Sequence, residues 1–219
     1  MIAFAQCHAE PHVVDGLQVN SLGYYTSGYD SNPMSELYIS FINERLSLLR
    51  EAGVGLHVID IRDYHIVSRT INNIQPDVVI HLAAVAHADR SNKDPFSTFD
   101  HSLRTLENAL DYARNRVDHF IFLSSSMVYG NFLSEEVDEE HPLNSMGIYG
   151  ALKVGGERMV IAYQQVFDLP YTIIRPSALY GPRCVSRRVG HHRVRNQSRV
   201  TATGRDAQHL ALATPGSDP

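Results

Sequence analysis

Asp77-Val-Val-Ile-His-Leu-Ala-Ala84 is the stretch on which the fold turns. An apolar run this continuous reads as a strand covered on both faces, as in parallel sheets. Val117–Ser124 (VDHFIFLS) repeats the pattern, and Tyr171–Arg175 (YTIIR) supplies a last strand. Helical patterns separate them, at Pro95–Arg114 and Tyr149–Phe167. Upstream, Ser35–Ala52 reads as an amphipathic helix, with Leu37, Phe41, Leu46 and Leu49 near one face and Gly53 and Gly55 ending it. Leu56–Ile61 is predicted as a strand, Tyr64–Asn73 as a short helix and His12–Asp15 as a short strand. Alternating strands and helices are the sign of βαβ units, so the class is α/β with a parallel sheet.

Composition narrows the function. The chain has 219 residues, 43% of them hydrophobic, enough for one domain with a sizeable core. The net charge is -5, and no basic face is evident, so no nucleic-acid partner is expected. No apolar run is long enough to span a membrane, and residues 1–10 lack the basic start and apolar stretch of a signal peptide. Cys7 and Cys184 form no CxxC pair, which fits a cytoplasmic protein. The 12 histidines are scattered without an HExxH, so no metal site is predicted. Ser125 lies in no GxSxG elbow, which argues against a serine hydrolase.

The chemistry centres on Tyr149-Gly-Ala-Leu-Lys153. The i, i+4 spacing puts both side chains on one helical face. A phenol with a pKa of about 10 becomes useful in proton transfer when an ammonium one turn away favours its phenolate. Ser124, Ser125 and Ser126 close a buried strand at its carboxyl end, where open α/β sheets bind ligands. His81-Leu-Ala-Ala84 ends another strand in small residues that let a cofactor approach. Asp60-Ile-Arg-Asp63 offers a carboxylate able to accept from an adenine amino group, and Arg175-Pro-Ser-Ala-Leu-Tyr-Gly-Pro182 forms a rigid turn after the last strand.

In this order and spacing the five motifs DIRD (60–63), HLAA (81–84), SSSMVYG (124–130), YGALK (149–153) and RPSALYGP (175–182) resemble the extended short-chain dehydrogenase/reductases of the NAD-dependent epimerase/dehydratase type. The resemblance covers about Val13 to Arg183. It implies a Rossmann-type sheet with helices on both faces, NAD as cofactor with NADP not excluded, and a nucleotide-sugar substrate. It also implies a homodimer through helices 95–114 and 149–167. Carried over by position, Tyr149 is the general acid/base, Lys153 lowers its pKa and holds the nicotinamide ribose, and Ser125, with its neighbour Ser126, stands at the catalytic Ser/Thr. Asp60 and Ile61 flank the adenine. Leu82, Ala83 and Ala84 line the cofactor groove, Ser124 and Pro176 border it, and Asp15 bonds the adenosine ribose. Relatives that dehydrate sugars carry Asp-Glu after the catalytic threonine. Here Ser126 and Met127 stand there, so epimerisation or simple oxidoreduction is favoured over dehydration.

Two departures accompany the resemblance. No GxxGxxG is present, and residues 1–12 contain no glycine, so the first strand and its phosphate-binding loop are expected to be absent. After about Arg188 the chain turns aperiodic, with six arginines between Arg183 and Arg199. The expected organisation is an atypical segment over 1–12, a partial NAD(P)-binding catalytic core over 13–188, and an aberrant or disordered tail over 189–219. A fragment, or a frameshift near Val189, would produce it. The alternative function is a non-catalytic fragment or binding module that keeps only the core of the fold.

Overall fold

The computed structural model describes residues 2–4, 12–14, 17–19, 33–57, 59–85, 88–134, 137–177 and 202–203. Its main sheet has five strands. They are β1 (Ile2–Phe4), β4 (Val78–His81), β5 (His119–Leu123), β6 (Tyr171–Ile174) and β7 (Ala202–Thr203), in that spatial order. The first four run parallel, and β7 pairs antiparallel to β6. β2 (His12–Val14) and β3 (Leu17–Val19) form a separate two-stranded antiparallel pair. The helices are α1 (Pro33–Glu51), α2 (Tyr64–Ile74), α3 (Ala88–Lys93), α4 (Pro95–Phe99), α5 (Thr105–Ala113) and α6 (Gly147–Phe167).

The three apolar runs that define the class are all strands of the parallel sheet. Burial alternates along β4 and β5, whereas in β6 Thr172 and Ile173 are both buried. Val79, His81, Phe120, Phe122 and Ile173 are buried, while Val78, Ile80, Ile121 and Leu123 are half-buried. The buried side meets Val67 and Ile71 of α2, Leu106, Ala109, Leu110 and Ala113 of α5, and Val160 of α6 in one core. Asp63 caps α2 by accepting from the backbone amides of His65 (2.9 Å) and Ile66 (3.1 Å), which fixes where this helix starts.

Several expectations are corrected. Leu56–Ile61 is not a strand among its described residues, and no described strand pairs with it. The strand predicted from His12 pairs with Leu17–Val19 in a hairpin rather than joining the parallel sheet, since those segments lie close enough in sequence to satisfy each other. A first strand, expected to be absent, is present as three residues, Ile2–Phe4, lying parallel to β4 and covering its edge. The long helix predicted over 95–114 is interrupted by a π-helical segment, Asp100–Arg104, between α4 and α5. There the Thr105 hydroxyl donates to the carbonyls of His101 (3.0 Å) and Ser102 (3.2 Å). Of the tail predicted to lack structure, Ala202–Thr203 forms β7, and the rest of 189–219 lies outside the described residues.

His81 sits at the end of β4 with the rings of Phe120 and Phe122 beside it, and it is buried. Burial, reinforced by the Lys153 ammonium, pushes its imidazole down to about 3. The folded chain therefore refuses a proton that the unfolded chain accepts below about pH 6.5. Stability from this residue is intact above pH 6.5 and is lost as the pH falls from there towards 3. At pH 5 the loss is about 2 kcal/mol relative to neutral pH. Urea unfolding of His81→Leu at pH 7.5 and pH 5 is expected to show a smaller acid loss than the unsubstituted chain by roughly that amount.

Candidate active site

Sequence positions far apart meet at the carboxyl end of the sheet. The β5–β6 pairing continues past both strands, because the Ser124 amide donates to the Ile174 carbonyl (2.8 Å) and the Ser126 amide to the Pro176 carbonyl (3.0 Å). This holds the serine cluster against the Arg175–Pro176 turn. Ser125 caps a single 3₁₀ turn, Ser126–Val128, its Oγ accepting from the Met127 amide at 3.2 Å. Ser124 and Ser125 are buried and Ser126 is half-buried.

Helix α6 lies across this edge with its first turns over the 3₁₀ turn. Two glycines permit the approach. A Cβ at Gly150 would stand 2.8 Å from the Met127 carbonyl oxygen, and one at Gly156 would stand 2.8 Å from the Phe122 ring. The helix start has no side-chain cap of its own. Asn92 of α3 supplies one across the structure, accepting from the Ile148 amide at 3.0 Å.

Tyr149 is half-buried on the first turn of α6, and Lys153 follows one turn later. The Lys153 Nζ donates to the Leu123 carbonyl at 2.5 Å, lies 5.0 Å from the centre of the Phe122 ring and 5.9 Å from that of Tyr149. Only 6% of the residue is exposed. Burial pushes its ammonium down to about 8, and the Glu157 carboxylate opposes that shift. An ammonium carries three donors, and the Leu123 carbonyl engages one. Donors thus remain at the sheet edge for a diol such as a ribose.

The other expected cofactor positions fall around the same edge. Ala83 and Ala84 are buried just beyond β4, and Leu82 is exposed. The Val85 amide donates to Ser102 Oγ at 3.3 Å, so the π-helical segment abuts this strand end. Such distortions recur where a helix borders a functional site. Ile61 is buried in the core rather than open. The Asp60 carboxylate already accepts from Arg62 Nη2 (2.6 Å) and Nε (3.0 Å), and this guanidinium holds it below the usual carboxylate range. Pro176 is half-buried beside the serine cluster. Asp15 lies outside the described residues, as do positions 178–182 of the last motif.

Three contributors were not legible as site residues in the sequence. Asn108 on α5 donates to the carbonyls of Ile61 (3.0 Å) and Arg62 (2.8 Å), fastening the DIRD turn. Asn92 caps α6. Glu157, buried one turn beyond Lys153, accepts from Arg175 Nη2 (2.7 Å) and Nε (2.9 Å) and from Ser124 Oγ (2.5 Å). The available signal was a polar residue on an otherwise apolar helix face, as with Asn108 in TLENALDYA.

Comparison with known proteins identifies the family. The "NAD dependent epimerase/dehydratase family" matches residues 35–212. The dTDP-D-glucose 4,6-dehydratase of Dictyostelium discoideum is 30% identical over 158 residues, covering 67% of this chain and 36% of that protein. Protein CapI of Staphylococcus aureus is 30% identical over 166 residues, covering 73% of this chain and 48% of CapI. The solved UDP-glucose 4-epimerase of Thermus thermophilus, a complex with NAD, superposes with a TM-score of 0.58 at 30% identity. That match covers 61% of this chain and 44% of the epimerase. The chain thus spans less than half the length of each of these relatives.

The close approach of α6 is testable. Gly150→Ala forces a methyl against the backbone of Met127, which cannot rotate away. A loss of about 1–3 kcal/mol in urea unfolding is expected, the usual cost of overpacking. A change within about 0.5 kcal/mol would show that α6 stands further from the serine cluster than described.

Proposed function

Because the chain belongs to the NAD-dependent epimerase/dehydratase family, we propose that its site serves proton transfer in an NAD-dependent epimerisation or oxidoreduction of a nucleotide-linked sugar. The observation that carries this reading is the buried Lys153 ammonium, which donates to the Leu123 carbonyl at the end of β5, next in sequence to Ser124, and lies 5.9 Å from the centre of the Tyr149 ring. In it, Tyr149 takes the proton from a sugar hydroxyl and returns it when the ketone is reduced. Ser125 donates to the same substrate oxygen and holds it in line with the phenol. Lys153 turns its remaining donors to the nicotinamide ribose and favours the phenolate by its charge. Bound NAD supplies the hydride acceptor and donor. NADP is a weaker candidate, since Asp15 is read as a ribose-binding acid.

Two of the relatives above carry dehydratase or epimerase names. Met127 tips this chain towards epimerisation or plain oxidoreduction. It stands in the 3₁₀ turn with 39% of its surface exposed, and a thioether moves no proton. Ser126 before it has no carboxylate either.

A second reading is a non-catalytic module that keeps only the core of the fold. The observation favouring it is that the sequence given contains no GxxGxxG, the pattern whose backbone cradles a pyrophosphate.

Thermal shift with increasing NAD separates the readings. Saturable stabilisation at micromolar NAD supports the enzyme, and none up to millimolar NAD supports the module. With UDP-glucose as the probe substrate, Tyr149→Phe is then expected to lower turnover at least about 100-fold, the scale of general acid–base catalysis. Its NAD midpoint should change less than twofold. Retained turnover would remove Tyr149 from the mechanism.

A further inference from the structure

The Tyr149–Lys153 spacing repeats once more along α6, and the third residue is Glu157. It is among the most buried charged groups described, with 1% exposure. Its carboxylate is held from three directions. Arg175, at the end of β6, donates twice, through Nε to Oε1 at 2.9 Å and Nη2 to Oε2 at 2.7 Å. Ser124, at the end of β5, donates to Oε1 at 2.5 Å. Arg175 spends its remaining Nη1 on the Tyr129 hydroxyl (3.0 Å) and the Glu139 carbonyl (3.1 Å). Burial disfavours the Arg175 charge, but the bonds to Glu157 and Tyr129 outweigh it and raise its pKa. Arg175 and Glu157 form an ion pair at 2.7 Å, and its outer contacts, Ser124, Tyr129 and the Glu139 carbonyl, border the site.

We propose that Glu157 is a positioning residue for this site: its Arg175-locked carboxylate fixes the Ser124–Ser125 strand end and holds Lys153, one turn back, as the ammonium. A buried amine surrounded by apolar groups loses its proton easily. The groups facing Lys153 are Tyr149 and Glu157 from its own helix, His81 from β4, and the Leu123 carbonyl from β5. Glu157 is the one carboxylate in that set, and it opposes the effect of burial on Lys153. Arg175 holds both carboxylate oxygens of Glu157 and keeps the carboxylate from turning away. A purely structural staple would fix the same strand ends without affecting the charge of Lys153.

The proposal rests on the functional reading above only in what the ammonium is for, and its test needs neither cofactor nor substrate. Lys93 and Lys153 are the only lysines in the chain, and Lys93 is exposed. Lysine labelled with ¹³C at Cε therefore gives two NMR signals, assigned with Lys93→Arg. Lys153 is expected to titrate near pH 8 in the unsubstituted chain. In Glu157→Gln, which keeps the shape and an acceptor for Ser124, the midpoint should fall by about one pH unit. In Glu157→Asp it should stay closer to 8. Should Glu157→Gln fail to fold, Glu157→Gln combined with Arg175→Gln removes both partners of the ion pair, and a smaller fall in the Lys153 midpoint is expected because a cation is removed with the carboxylate. An unchanged Lys153 midpoint in a folded variant would overturn the proposal. Absence of NAD binding would sink the enzymatic reading and leave this titration standing; an active enzyme with an unmoved midpoint would do the reverse.

Discussion

A carboxylate and a guanidinium removed from water together must satisfy one another almost completely. The desolvation of each is several kcal/mol, and only good geometry returns it. Glu157 and Arg175 meet that demand with two charge-assisted bonds, and the remaining capacity of each goes to a different part of the chain. The middle of α6, the ends of β5 and β6, Tyr129 and the Glu139 segment are joined through a single pair. Apolar packing cannot do this, because it is tolerant of small slides. A bidentate ion pair is directional, so it specifies where the helix stops along the sheet.

The placement of α6 follows from two constraints acting together. The ion pair sets its position along the strands. The glycines set its distance, since Gly150 and Gly156 lie where any Cβ would strike the Met127 carbonyl or the Phe122 ring. With position and distance both set, Lys153 can reach the Leu123 carbonyl and cannot withdraw to solvent. Its partial loss of charge stability is a consequence of that geometry: burial lowers the ammonium pKa, and the carboxylate that opposes the shift belongs to the same ion pair.

Much of this was legible along the chain, and the reasons differ from element to element. DVVIHLAA, VDHFIFLS and YTIIR are strands because sustained apolar runs of that length have few other stable homes. The helix carrying Tyr149 and Lys153 was equally plain from its pattern. Leu56–Ile61 misled, because a strand exists only when a neighbour accepts its hydrogen bonds, and local composition does not report the neighbour. The π-helical segment at Asp100–Arg104 was invisible for a similar reason. Its extra residue answers to the end of β4, through Ser102 and Val85, and to no local preference.

Sequence alone determined the class of fold, the order of the motifs and the pairing of Tyr149 with Lys153, because those depend on periodicity and on spacing within one helix. Tertiary structure alone decided that Asn92 caps α6, that Asn108 secures the Asp60–Arg62 turn, and that Glu157 meets Ser124 and Arg175. Each of these joins residues distant in sequence. A buried polar group takes whatever partner the packing brings within hydrogen-bond reach, and no pattern along the chain encodes that distance.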